Sequence, residues 1–139
     1  MAIGSTYAAI RAFFEANWAN ACPVVFDNEG ALPPADGHWI MFDVVGDSIV
    51  QQTIGTGRSE NERHDEDGKL LLYVMAPQGV GTARARELAE MLVNLFRGVL
   101  LLNDSIEFQD ASVGYGAGRN DEGNWFRFPI EIYWRRMGV

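Results

Sequence analysis

Apolar and polar positions alternate with helical spacing at the start of the chain. Tyr7, Ile10, Phe14 and Trp18 recur at steps of three and four, while Arg11 and Glu15 fall off that face. The pattern predicts an amphipathic helix over residues 5–20 with Ser5 as its N-cap. It should stop before Pro23, whose ring disfavours helical geometry at Cys22, so Pro23-Val24-Val25-Phe26 reads as a short extended piece. Residues 27–37 hold Asn28, Gly30, Pro33, Pro34, Asp36 and Gly37, all turn formers, and predict a surface loop.

The period then changes to that of strands. Residues 38–45 carry apolar side chains on both parities, Trp39, Met41 and Val45 against Ile40, Phe42 and Val44. A strand of this kind is buried on both faces or uses one of them for a subunit contact. Gly46-Asp47 predicts a turn and residues 48–54 a more polar returning strand. Residues 55–68 contain ten successive positions, Arg58 to Asp67, without one apolar residue, and predict a solvated loop or hairpin tip. Residues 70–76 form a near-continuous apolar run, the mark of a central strand.

After a turn at Pro77–Gly81, Thr82 is placed to cap a second helix. Ala85, Leu88, Ala89, Leu92, Leu95, Phe96 and Val99 form its broad apolar stripe, and Gly98 stands where a left-handed terminal residue is wanted. Residues 106–115 and 125–135 read as a hairpin joined by a Gly, Asn and Asp loop. The last strand alternates cleanly, with Phe126, Phe128, Ile130, Ile132 and Trp134 opposite Arg127, Glu131 and Arg135. Pro129 lacks a ladder donor and predicts an edge position for this strand. The element order gives an α+β fold, a mostly antiparallel or mixed sheet with two main helices packed on it, as a single domain over residues 1–139.

Composition narrows the function by exclusion. A formal charge of -8 is unsuited to gripping nucleic acid, which needs clustered Lys and Arg. Cys22 is the sole cysteine, which leaves no intrachain disulfide and no multi-cysteine metal site. The N-terminus lacks a basic region followed by an apolar one, and no apolar run approaches the ~18 residues of a membrane span, so the protein is expected to stay in the cytoplasm until assembled. Gly79-Val-Gly81-Thr-Ala-Arg84 follows a strand and opens a helix, as a dinucleotide fingerprint would. Arg84 replaces the third glycine, however, and no acidic residue closes a second parallel strand. Asp65-Glu-Asp67-Gly68 lacks the spaced ligands of an EF-hand, and His38 and His64 have no metal-ligand spacing. No catalytic residue, cofactor or metal site is expected, and the charged loop with Arg58, Glu60, Arg63, Asp65 and Asp67 is suited instead to meeting a partner through complementary charge.

One resemblance joins these pieces. Pro23-Val24-Val25-Phe26 with Asn28, Trp39-Ile40, Gln52-Thr53-Ile54-Gly55, the run from Gly68 to Pro77, Gly79-Val-Gly81, and Ala85 to Leu92 continuing to Phe96-Arg97-Gly98 resemble, in this order, the phage tail terminator-like proteins. That family also serves tail-like particles such as gene transfer agents. The resemblance implies a structural virion subunit, not an enzyme. It implies a ring, usually hexameric, on the head-proximal end of the tail tube, which ends tube polymerisation and meets a head-completion or connector protein. DNA would pass its lumen without specific binding. Trp39, Met41, Pro129 and the charged loop are then the candidate contact residues. The alternatives are a small-ligand or nucleotide-binding domain at Gly79–Thr82, or another tail or head-completion subunit.

Overall fold

The computed structural model describes residues 3–18, 22–27, 29, 37–55, 57, 62–119 and 125–139. Helix α1 (Gly4–Asn17) leads into the short strand β1 (Val24–Phe26), then β2 (Trp39–Gln51) and β3 (His64–Pro77). Helix α2 (Ala83–Phe96) follows, and β4 (Leu100–Leu101), β5 (Ile106–Val113), β6 (Gly118–Arg119) and β7 (Trp125–Arg136) complete the chain. The strands form one sheet in the order β1-β2-β3-β7-β5-β4, with β6 beside β7. Every neighbouring pair is antiparallel except β1 with β2. This is the α+β architecture that the pattern of elements predicts.

One face of the sheet holds the core. Ile40, Phe42 and Val44 of β2, Leu70, Leu72 and Val74 of β3, and Phe128, Ile130, Ile132 and Trp134 of β7 are buried beneath Ile10 and Phe14 of α1 and Ala85, Leu88, Ala89, Leu92 and Phe96 of α2. Phe14 is the hub, with ring centroids 4.9 Å from Phe42, 5.6 Å from Trp18 and 6.3 Å from Phe96. Each such fully buried ring contributes about 2–3 kcal/mol by desolvation alone, so the aromatic hub fixes both helices to the sheet.

Gly68 is required by this packing. A Cβ there would lie 2.1 Å from the Val45 carbonyl oxygen and 2.4 Å from Cζ2 of Trp134, whose indole occupies the space a side chain would take.

Four expectations need correction. The chain does not turn at Gly46-Asp47: β2 runs on, Gly46 pairs with Gly68, Asp47 is an extra residue in a bulge, and the ladder resumes at Ser48 opposite Asp67. The end of the charged stretch is not loop, because residues 64–67 pair with both β2 and, in part, β7. Neither helix is capped as foreseen. α1 begins at Gly4 with Ile3 at its N-cap, and Thr82 at the head of α2 makes no side-chain cap bond, its hydroxyl accepting from Arg86 instead.

The fourth correction concerns Pro129. Strand β7 lies inside the sheet, between β3 and β5, not at an edge. The Pro129 carbonyl accepts from the Gly114 amide at 2.8 Å, which turns the Pro129 nitrogen toward the same side. There β5 has just ended at Val113 and β6 has not yet begun, so the missing donor faces an interruption in the ladder.

Candidate interaction surfaces

Beyond the bulge, β2 and β3 continue as an arm, Ser48 to Gln51 against His64 to Asp67, with β7 still alongside β3 at Glu66 and Asp67. The two strands of this arm differ sharply. From the β2 bulge onward every residue from 47 to 55 is exposed, including Ile49 at 50% and Val50 at 43% on the strand and Ile54 at 91% just beyond its end. On β3 the carboxylates of Asp65 and Glu66 are buried.

Glu66 points toward the helices. It accepts from the Ile3 amide at 3.0 Å and from the Thr6 hydroxyl at 2.7 Å, placing a carboxylate at the N-terminus of α1 where the unpaired amides and the helix dipole favour it. Arg136 closes the same junction by donating to the Ser5 and Thr6 hydroxyls. Ser5 thus serves as an anchor for a guanidinium and not as the helix cap.

Asp65 points to the opposite face. Its Oδ1 accepts from Arg63 Nε at 2.9 Å and from the Gly138 amide at 3.1 Å, and its Oδ2 accepts from Arg63 and Arg135, each at 2.9 Å. The Arg63 hydrogen bonds, aided by the Gly138 amide and Arg135, hold its carboxyl at about 2, below the usual carboxylate range and against the opposing effect of burial. Asp67 is half-exposed and lies 3.7 Å from Arg135. The acidic run therefore ties the C-terminal tail and the α1 N-terminus to the arm, and Asp65 is an internal anchor, not a solvated contact residue.

The remaining predicted residues are dispersed. Arg63 is surface-placed but paired with Asp65. Arg58 and Glu60 lie outside the described residues. Trp39 is 4% exposed, its ring set edge-on to Trp125 at 5.8 Å, so it is covered by its own chain. Met41, two residues on along the same face, is 37% exposed. Pro129 is buried opposite Tyr73. Among the described ones, Met41, Arg63 and Asp67 offer accessible side chains.

A groove that sequence reasoning missed runs between α2 and β5. One part, of about 370 Å³, is bordered by Val93, Phe96, Phe108 and Val113. A second part of about 360 Å³ shares Val93, Arg97 and Val113 and adds Arg86 and Glu90. A separate cleft of about 590 Å³ lies between α1 and β1, beside Phe14, Trp18, Cys22 and Phe26. Burial pushes the Cys22 thiol up to about 11, the reverse of what a nucleophile needs.

Gly79 and Gly81 both take positive φ, +81° and +80°, in a tight exposed connection, and Arg84 at the helix start pairs with Glu87. Among the described residues no cluster of His, Cys, Asp or Glu is arranged to hold a metal ion, and no helix is long and apolar enough to cross a membrane.

The sequence model of the phage tail terminator protein family matches residues 5–134. The chain belongs to the phage tail terminator family. It is thereby a structural component of a phage-type tail. No curated protein matches it. Seven solved chains do; one of them, which carries no functional name, superimposes with a TM-score of 0.64 at 24% identity, over 96% of this chain and 96% of its own. At that identity the likeness speaks for the fold.

Proposed function

We propose that this tail terminator, one domain over residues 1–139, assembles head to tail as a ring, a hexamer, on the head-proximal end of a phage tail tube. The ring ends tube polymerisation and presents the surface that a head-completion or connector protein meets. The match of the family model to residues 5–134 carries this reading. Two properties of the chain support it. The two sides of the sheet are unlike, an exposed apolar arm on one and an open groove on the other, as a contact between different patches of successive copies requires. The charge of -8 also suits a ring whose lumen lets DNA pass without holding it.

On this reading the protein performs no chemistry, needs no cofactor, and waits in the host cytoplasm before joining the virion. Negative-stain imaging of the purified protein mixed with tail tubes tests it. Density at one tube end only is the expected result. Protein absent from the tubes, or bound along their length, would overturn the proposal.

A further inference from the structure

Both outer edges of the sheet are open among the described residues. β1 covers β2 only at Ile40, Met41 and Phe42, so positions 43–51 present an unpaired edge. β4 covers β5 only at Ile106 and Glu107, so positions 108–113 present another. An open edge is a template for a further strand, and proteins that do not use it normally blunt it. Each edge holds a bulge, at Asp47 on β2 and between Phe108 and Ala111 on β5, but neither carries a proline, and the β2 edge bears Ile49 and Val50, both well exposed.

Direction and face both match between the two edges. Three successive antiparallel pairings, β2 with β3, β3 with β7 and β7 with β5, make β5 run opposite to β2. Copies related by successive rotations about one axis would therefore bring β5 of one against β2 of the next as an antiparallel pair. Phe108, Ala111 and Val113 face the helices, because they stand opposite Trp134, Ile132 and Ile130 of the core face. Ile49 faces the helices too, because it stands opposite Glu66, whose carboxylate holds α1.

We infer that the partner of each edge is a second copy of this chain. The free edge of β2 in one copy adds to the free edge of β5 in the next, and Ile49 enters the groove between α2 and β5. That groove exists because β4 covers β5 only at Ile106 and Glu107 while α2 overhangs the bare edge beyond, leaving the half-buried Val93 and Phe108 without the next strand's inward side chain. Main-chain hydrogen bonds supply the adhesion and the groove fixes the register, as in strand addition generally. The rim charges agree: Arg86 and Arg97 flank the groove beside Glu90, and exposed Asp47 accompanies Ile49 on the incoming arm. This inference rests on the head-to-tail ring proposed above and names its contact.

Ile49→Asp breaks the arm and leaves the groove intact; Val113→Asp does the reverse. Both side chains are about half-exposed, 50% and 49%, so each variant should fold, as circular dichroism would check, and Val80→Asp at an exposed distant turn is the control. Light scattering after size exclusion is read for each protein at assembling concentrations and with tail tubes present. Wild type and Val80→Asp should form rings, and each edge variant alone should self-associate about tenfold or more weakly. An equimolar mixture of the two edge variants should stop at a dimer, since only one intact arm and one intact groove remain. Rings from wild type and from both edge variants alike would overturn the edge pairing and leave the ring standing. A mixture that forms no dimer while wild type forms rings would also overturn it. Absence of rings in wild type, tubes included, would overturn the ring itself and this contact with it.

Discussion

Replacing Asp65 by asparagine removes the charge that anchors the C-terminal tail. The folded carboxyl sits at about 2 against an ordinary 3.8, a difference worth roughly 2 kcal/mol at full value. Arg63 and Arg135 are 47% and 35% exposed, so solvent screening reduces this to on the order of 1–2 kcal/mol. Because the folded value is depressed, this stability is present above the unfolded value near 4 and is lost as pH falls toward about 2. At neutral pH, Asp65→Asn should cost about 2–3 kcal/mol in all, since a neutral amide also fits the arginine fork and the Gly138 amide less well. Urea unfolding of both proteins at about pH 7 and about pH 3 measures the difference, and subtracting one protein from the other cancels the carboxylates they share. The gap should narrow by about 1 kcal/mol on acidification. A gap that stays constant, or widens, would refute the assignment of Asp65 as a charged anchor.

Other changes follow from the packing. Gly68→Ala forces a Cβ against the Val45 carbonyl and the Trp134 indole and should cost roughly 3 kcal/mol or more, read as a lowered denaturation midpoint. Phe14→Ala empties the aromatic hub and should cost about 3–5 kcal/mol by the same assay. Iodoacetamide should alkylate Cys22 in the folded protein roughly a hundredfold more slowly than in urea at near-neutral pH, because burial raises its thiol. Millimolar nucleotides or phosphate should leave the melting temperature unchanged, since at the Gly79–Thr82 turn Arg84 is paired with Glu87 and Arg86 is engaged on the Thr82 hydroxyl; a stabilisation of several degrees would revive a ligand-binding role.

Helices were legible because their apolar stripes are periodic: Ile10 and Phe14, or Leu88, Leu92 and Phe96, are buried as their spacing requires. The alternation of β7 was equally plain, and its even-numbered face is the core. What misled were residues read by type alone. Pro129 suggests an edge, yet an interior strand tolerates it where the neighbouring ladder is interrupted between β5 and β6. Gly46 suggests a turn, yet it stays in the ladder opposite Gly68, whose missing side chain leaves room for Trp134, and the bulge follows at Asp47. Asp65 and Glu66 suggest solvent, and nothing local reveals that Arg135, Arg136 and the α1 N-terminus, some 60 to 70 positions away, converge on them. Trp39 lost its predicted outward role to Trp125 in the same way. The groove between α2 and β5 depends on where the sheet ends, which no sequence window encodes.

If this tail terminator closes the end of a tube, as proposed, it should limit tube growth. Purified tube subunits are polymerised with increasing amounts of the protein, and tube lengths are read by electron microscopy. Growth should stop, with mean length falling as the protein rises and each arrested tube bearing one ring at one end. Tubes that keep their full length at every ratio would contradict the proposal.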